Sequence, residues 1–300
     1  MTYQTKQLIS NTYDQFTPTV EAAPDLSRVI KLRNQNQDEV LGFLAIRPVH
    51  TVVMTSFIND NGVESELNRG VFYGHRDDHG KLDGVALIGH TTLVEARSDA
   101  ALEALAACAR KATTPIHMIM ASGQDVERFW SYMGRLEAPR LTCTEALFEV
   151  AFPFAVPAES WQLRAATMDW LIPVAEAQAQ VAFSESGVDP LVSDRQGFLE
   201  RVARRIEMGR VFIATEGETL VFKTDIIAET DEAIYLEGIY VAADHRGQGI
   251  GHECLASLAL ELLGRVEHIS LLSNVNAGSA HRTFIKAGFR QTDSCTTLFV

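Results

Sequence analysis

The sequence predicts an α/β (α+β) protein of two similar halves, each a mixed, mostly antiparallel sheet flanked by helices. One observation is length, because 300 residues, 46% of them hydrophobic, favour two domains of roughly 150 residues each. Another is repetition, because a series of strand, helix, strand, helix and glycine spans Val85 to Gly134 and again Ile239 to Gly288. The spacings agree to within about one residue, which indicates two copies of one fold. Chance is the alternative, since helix and strand lengths cluster in all proteins.

Hydrophobic periodicity defines the elements of the first half. In chain order they are a strand at 27–32, a helix at 38–46 that Pro48 closes or interrupts, a hairpin of 70–74 with 84–89, a helix at 99–111, a strand at 116–120, a helix at 125–133 and a strand at 145–152. The segment 89–97 is interpreted as a loop without a glycine-rich cradle. We place the domain boundary near residue 156, in a segment with two prolines, which gives domains 1–155 and 156–300.

The second half begins with two helices and continues as an antiparallel meander. Its elements are a possible strand at 161–165, helices at 168–185 and 194–208, meander strands at 211–214, 219–227 and 233–241, a helix from about 250, a strand at 268–272, a helix at 277–287 and a last strand at 296–300. Asp194 is the expected N-cap of the second helix. Lys223 and Asp225 interrupt an apolar strand, and they either line a substrate site or face solvent, as alternation alone predicts.

Composition excludes several classes of partner. The 39 acidic and 26 basic residues give a net charge of -13, which opposes binding to nucleic acids and to anionic membranes. No stretch has the pattern of a signal peptide or of an apolar membrane span, so we expect a cytoplasmic location. The cysteines at 108, 143, 254 and 295 form no metal-ligand spacing, so we expect free thiols and no metal.

A glycine-rich turn links a strand to a helix in the second half. The strand 236–241 leads into Arg246, Gly247, Gln248, Gly249, Ile250 and Gly251. Glycines let successive backbone N–H groups converge on one point, and the helix start adds unpaired amides, so the turn is suited to a pyrophosphate. His252 stands where a dinucleotide-binding fingerprint needs glycine, and the Gly-Lys-Ser/Thr ending of a P-loop is missing.

These residues resemble the R/Q-x-x-G-x-G/A signature of the GNAT superfamily of acyl-CoA-dependent N-acetyltransferases. The strand 236–241 resembles the family's fourth strand, and Asn274, Asn276, Ala280 and Gly288-Phe289 resemble its second motif. The resemblance covers residues 163–300. The first half resembles the degenerate copy found in tandem members of the superfamily, and we expect it to bind no cofactor.

The resemblance implies acetyl-CoA, bound in a V-shaped gap between the fourth and fifth strands. Its pyrophosphate would lie on the amides of residues 246–251 and its pantetheine along the fourth strand. The residues implied in cofactor binding, besides those of the turn, are Ile239, Tyr240, Val241, Asn274, Asn276, Ser279 and Phe284. A backbone N–H near Tyr240 or Val241 is the implied donor to the thioester carbonyl. No metal takes part.

Glu237 and Tyr240 are the candidate catalytic residues, because both lie on the fourth strand beside the implied acceptor channel. A carboxylate there can take the proton of an attacking amine. The alternative is that Glu237 pairs across the sheet or faces solvent. The implied acceptor is a primary amine, either a small molecule or a protein lysine, and the acidic chain would suit a cationic one. The oligomeric state is open between monomer and homodimer.

One residue departs from the family pattern. Phe284 stands four residues before the glycine of Gly-Phe, where many family members have a tyrosine that protonates the leaving thiolate. A thiol with a pKa near 8.5 can leave without full protonation, and water or Ser279 can act as donor. The alternative function is therefore a non-catalytic acyl-CoA sensor or scaffold.

Overall fold

The computed structural model describes residues 24–135, 137–152 and 161–300. The strands are β1 Val29–Lys31, β2 Gly70–Arg76, β3 Leu82–Gly89, β4 Thr91–Ala96, β5 Met118–Ser122, β6 Leu141–Val150, β7 Arg164–Ala165, β8 Val211–Glu216, β9 Thr219–Glu229, β10 Ala233–Val241, β11 His268–Asn274 and β12 Arg290–Phe299. The α-helices are α1 Gln37–Leu44, α2 Pro48–Asn61, α3 Asp99–Arg110, α4 Asp125–Tyr132, α5 Leu171–Ser186, α6 Pro190–Ser193, α7 Arg195–Glu207, α8 Ile250–Leu262 and α9 Gly278–Lys286.

All these strands form one sheet, in the order β1-β2-β3-β4-β5-β12-β6-β11-β10-β9-β8-β7. The pairs β4–β5 and β10–β11 are parallel, and the other pairs are antiparallel. Each parallel pair is connected by a helix, α3 in the first half and α8 in the second, as parallel strands require. The predicted fold class, a mixed and mostly antiparallel sheet flanked by helices, is confirmed.

The two halves exchange their last strands. Strand β6, from the first half, pairs with β11 of the second, while the C-terminal strand β12 pairs with β5 of the first. The two exchanged strands also pair with each other over most of their length. The boundary predicted near residue 156 lies outside the described residues. In the described part of the chain, the halves share one continuous sheet.

Capping and termination signals fix the helices that support the second half. Asp194 accepts a hydrogen bond from the Gly197 N–H at 3.1 Å and so caps α7. Gly187 ends α5 with a left-handed backbone, φ 71°. Both helices pack their buried faces on β8, through Val174 and Val202 among others. On the opposite face of the sheet, α8 packs on β10 and β11.

Three sequence interpretations need correction. Pro48 begins helix α2 and does not only close α1, because the first turn of a helix needs no N–H from proline. Helix α2 lacks a simple apolar stripe, since Thr51 and Ser56 are buried beside Val52, and periodicity therefore missed it. Residues 91–96 form strand β4, not a loop. The last strand begins at Arg290, well before residue 296.

Candidate functional site

A gap opens in the sheet between the parallel strands β10 and β11. Their pairing runs from Ala233 opposite His268 to Leu236 opposite Leu271 and then stops. Beyond that point β10 stays beside β9, whereas β11 continues beside β6 up to Asn274 opposite Glu145. The edge of residues 237–241 that faces β11 thus has no register partner among the described strands. Backbone polar groups on this edge are available to a ligand.

A bulge in β10 lies at the start of the gap. Glu237 is opposite Asp225 and Tyr240 is opposite Lys223, so β10 carries one residue more than β9 across this stretch. Gly238 has φ +62°, a left-handed conformation that glycine adopts without strain. Thr224 is buried and its hydroxyl donates to the Glu237 carbonyl at 3.2 Å. The bulge redirects the backbone of β10 where the gap begins.

A buried polar network holds this bulge from the side of α5 and α7. Lys223 and Asp225 are both 0% exposed, with Nζ 2.9 Å from Oδ1. The Lys223 ammonium also donates to the Gly238 carbonyl at 3.1 Å and to the amide oxygen of Gln178 on α5. Arg205 of α7 lies 3.2 Å from the second oxygen of Asp225. The expectation that Lys223 and Asp225 face solvent is therefore wrong, because α5 and α7 cover this face of the sheet.

Glu237 lies next to that network and is half-buried. The hydroxyl of Tyr235 donates to its Oε1 at 3.3 Å. Burial raises the pKa of Glu237 above its usual range, and the Asp225 carboxylate raises it further, while Arg205, Tyr235 and Lys223 oppose the shift. Its cross-strand neighbour is another carboxylate, so Glu237 makes no cross-strand ion pair there. Tyr240 is half-buried and packs against the cluster that α5 and α7 form on β8.

Two further carboxylates share the electrostatic environment of Glu237. Glu185 lies on α5, and burial, followed by the charges of Glu237 and Glu145, raises its pKa to about 7. Its side chain nevertheless stays exposed, as expected for a group that lines a cleft. Burial also raises the pKa of Glu145, which accepts a hydrogen bond from the Thr297 hydroxyl at 2.5 Å. Sequence reasoning missed Glu145, because strand exchange brings it from the first half and no local signal marks that exchange.

The glycine-rich turn follows β10 and leads into α8. Gly247 and Gly249 have φ +78° and +93°. The turn is held by its own side chains: Arg246 Nε donates to the Val241 carbonyl at 3.0 Å and Gln248 Nε2 to the Asp244 carbonyl at 2.9 Å. None of the described residues accepts a hydrogen bond from the backbone N–H groups of residues 247–251. These free amides, at the start of a 13-residue helix, suit a diphosphate.

The glycines also keep the turn open. A Cβ on Gly249 would lie 3.1 Å from the side chains of His252 and Glu253, and one on Gly251 would lie 3.2 Å from Val241. A side chain at either position would therefore press on these neighbours. Ile239 and Val241 are half-buried, whereas Ile250 is buried beneath the turn.

The second predicted motif lies at the end of β11 and on α9. Asn274, Asn276 and Ser279 are exposed, and the side chain of Asn274 accepts a hydrogen bond from the Asn276 N–H at 2.9 Å. Phe284 is 5% exposed and packs edge-to-face on Phe148, with ring centroids 5.4 Å apart. The apolar ring of Phe284 needs no hydrogen-bond partner in this buried position. The hydroxyl of a tyrosine at the same position would need one.

The first half has a corresponding gap, and an ion pair lies at it. Pairing of β4 with β5 stops after Leu93 opposite Met120. Beyond it, Arg47 lies 3.2 Å from both oxygens of Glu95 and donates to Ser122 Oγ at 3.2 Å. Only residues 97 and 98 connect β4 with α3, compared with residues 242–249 between β10 and α8. The first half thus lacks a counterpart of the glycine turn.

The described residues contain no helix long and apolar enough to cross a bilayer. They also contain no group of three or more His, Cys, Asp or Glu side chains arranged to hold a metal ion.

Comparison with known proteins shows which domain family part of the second half matches and which solved structures share the fold. Residues 207–291 match the model of the acetyltransferase (GNAT) domain family. A GNAT-family acetyltransferase from Colwellia psychrerythraea superposes with a TM-score of 0.56 at 13% identity, covering 91% of this chain and 99% of that one. A Drosophila protein gives a TM-score of 0.67 at 12% identity and covers 91% and 98%. A tandem GNAT protein from the clavulanic acid biosynthesis pathway gives 0.56 at 14% identity and covers 90% and 98%. No curated protein matches the chain.

Proposed function

We propose that this chain, whose C-terminal half contains a GNAT acetyltransferase domain and whose fold is that of tandem GNAT proteins, transfers an acetyl group from acetyl-CoA to a primary amine. The proposal rests on how the glycine turn, the gap and the bulge follow one another along β10. Free amides of the glycine turn lie at one end of the gap, and the bulge with Glu237 lies at the other. Such a gap suits a ligand with a diphosphate at one end and a reacting group at the other.

Different residues around the gap bind different parts of acetyl-CoA. The amides of residues 247–251 hold the diphosphate, and Arg246 and Gln248 keep the turn in shape. The free edge of Ile239, Tyr240 and Val241 hydrogen-bonds the pantetheine, with Asn274, Asn276 and Ser279 at the opposite side. Acetyl-CoA supplies an acyl group activated as a thioester. GNAT acetyltransferases as a family transfer acyl groups from acyl-CoA, and the free amides support that role here.

The proposed reaction is direct attack. The amine nitrogen forms a bond to the thioester carbon, the C–S bond breaks, and CoA leaves as a thiolate. Glu237 takes a proton from the nitrogen, directly or through one water. Its raised pKa supports this role, because a general base works best when its pKa approaches the working pH.

The acceptor is best matched by a cationic amine. Glu145, Glu185 and Glu237 influence one another's titration, and together they favour a positive group near the bulge. Glu145 comes from the first half, so that half shapes the acceptor side while binding no acyl-CoA itself. The Arg47–Glu95 pair in its gap supports this division.

One observation favours a second candidate function. Phe284 is buried in the core and cannot protonate a leaving thiolate. A chain that binds acyl-CoA without turning it over would be a sensor or scaffold. Loss of a general acid lowers rates typically by about 10²–10⁴-fold, and a thiolate is a good leaving group, so we favour a working enzyme.

Turnover distinguishes the two functions. Release of CoA from acetyl-CoA is measured against a panel of mono- and diamines for wild type, Glu237→Gln and, as control, Glu176→Gln, an exposed residue of α5. We expect release with wild type and the control, and roughly 100-fold slower release with Glu237→Gln. Saturable acetyl-CoA binding with no release for any amine would favour the sensor.

A further inference from the structure

A cavity of about 60 Å³ lies between helix α2 and the sheet. No Asp, Glu, Lys or Arg is among its described lining residues, which are mostly aliphatic and include Val53, Leu93, Met120, Leu147 and Leu272. Protein interiors are close-packed, so an unfilled space beneath a helix lowers stability. Apolar cavities of this kind can take up small apolar molecules. The cavity is therefore suited to an aliphatic group of a ligand.

Helix α2 is tied to the sheet at two points, so it forms a fixed wall of this cavity. Near the start of the helix, His50 Nε2 lies 2.9 Å from Oδ2 of Asp293 on β12. Further along, the Glu229 N–H of β9 donates to the buried Ser56 hydroxyl at 3.1 Å. Several lining side chains, among them His50 and Leu272, are half-buried. The cavity is thus not sealed from solvent.

The cavity adjoins the carboxylates near the bulge. Tyr235 lines the cavity, and its hydroxyl donates to Glu237 at 3.3 Å. Cys295 also lines it and stands opposite Glu145 in the pairing of β12 with β6. Leu147 lines it two residues from Glu145, and side chains at this spacing share a face of the sheet. An apolar cavity and a group of carboxylates are therefore neighbours on one face.

The polar residues between the cavity and the carboxylates are neutral. Burial raises the pKa of the Tyr235 hydroxyl well above its usual value, and the Glu237 charge raises it further. Burial, followed by the Glu145 charge, raises the pKa of the Cys295 thiol to about 12. Both groups therefore stay protonated at neutral pH. Negative charge is confined to the carboxylates, and the space beside them is apolar.

We propose that the acceptor is a primary amine with a short aliphatic group, which fills this cavity while the amine lies at Glu145 and Glu237. This inference rests on the proposed acyltransferase function. The carboxylates favour an occupant with a positive charge next to its aliphatic group, which an amine has and the acyl chain of a thioester lacks. A cavity of about 150 Å³ takes benzene, so this one suits roughly two or three carbon atoms beyond the carbon that bears the amine.

A direct test uses the methyl spectrum of protein labelled with methyl-¹³C methionine. Met54 and Met120 line the cavity, and their signals are assigned with Met54→Leu and Met120→Leu. We expect butylamine to shift both signals saturably, and methylamine at the same concentration to leave them in place. This readout needs neither acyl-CoA nor turnover.

Variants that narrow the cavity test its role in acyl transfer. Val53→Phe fills it from α2 and Leu272→Phe fills it from β11, so the test survives a folding failure of either one. The control is Val29→Phe, which adds a ring to a half-buried valine on the edge strand β1. That strand lies three positions along the sheet from β4, the nearest strand of the lining.

We expect kcat/KM of wild type and Val29→Phe to rise about fourfold for each methylene from ethylamine to butylamine, the gain for burying one CH₂. It should level off at hexylamine. In both filled variants, the ratio of kcat/KM for butylamine to that for ethylamine should fall from about 16-fold to within about twofold of unity. The ratio of kcat/KM for butyryl-CoA to that for acetyl-CoA, with ethylamine as acceptor, should be the same in all four proteins.

The outcomes separate two failures. If butylamine leaves the Met54 and Met120 signals in place, or if kcat/KM does not depend on amine length, or if a folded filled variant keeps the full gain, this inference is overturned and the proposed acyl transfer stands. A change in the acyl-CoA ratio in place of the amine ratio would assign the cavity to the acyl chain and also overturn it. If no amine releases CoA from acetyl-CoA, the proposed function falls and this inference falls with it.

Discussion

Glu185 is poised to respond to pH in the neutral range. Burial, together with Glu237 and Glu145, raises its pKa to about 7. A group with such a pKa is largely protonated at pH 6 and largely ionised at pH 8. Because the ionised form attracts a cation, a diamine acceptor should bind more tightly as the pH rises through 7.

The effect of Glu185 ionisation on diamine binding can be separated from the effect of deprotonating the amine itself. The KM of a diamine is measured between pH 6 and 8.5 for wild type, Glu185→Gln and the exposed control Glu176→Gln. We expect KM to fall more steeply with pH in wild type and the control than in Glu185→Gln, by roughly three- to tenfold across the range. Parallel curves for all three proteins would remove Glu185 from the acceptor site.

At the scale of elements, the bulge in β10 depends on Gly238. An alanine there would have to adopt φ +62°, and its Cβ would collide with Lys223 and Gln178. Gly217 in the β8–β9 turn has a similar φ of +58° but open space around it. An alanine at either position would therefore be strained by a similar amount, and the two positions differ in the space for its Cβ.

We expect Gly217→Ala to lower the free energy of unfolding by about 1 kcal/mol. Gly238→Ala should lower it by about 2–4 kcal/mol, because the clash adds to the strain, and it should also lower kcat. Urea denaturation of both variants gives the comparison. Equal losses of stability would mean that the network around Lys223 adapts to a Cβ, and the bulge would not be rigid.

Elements marked by adjacent residues could be predicted from sequence. The strand, glycine turn and helix from 236 to 262 are contiguous, so local rules placed them correctly, and Asp194 was identified as a cap for the same reason. The network of Lys223, Asp225, Arg205 and Gln178 joins four separate segments. Alternation predicts only that Lys223 and Asp225 share a face, and it cannot tell that α5 and α7 cover that face.

At the scale of the whole molecule, strand exchange was the feature that sequence could not provide. Strands β6 and β12 have ordinary strand patterns, and nothing in their residues states which half they complete. The exchange places Glu145 of the first half beside the gap of the second, where we propose that the acceptor binds. The repeat of elements was visible in the sequence, but the spacing matched β3 with β10. The structural counterpart of β10 is β4. That strand was missed because residues 89–97 were interpreted as a loop.

The proposed acyl transfer requires that acyl-CoA binds at the glycine turn. The most direct measurement is calorimetric titration with acetyl-CoA of wild type, Gly249→Trp and Gly80→Trp, the last a glycine of positive φ in an open turn far from the gap. We predict saturable binding to wild type and Gly80→Trp, and affinity weaker by at least about 100-fold, or about 2.7 kcal/mol, for Gly249→Trp. Equal affinity of all three proteins, or no binding to wild type, would contradict the account.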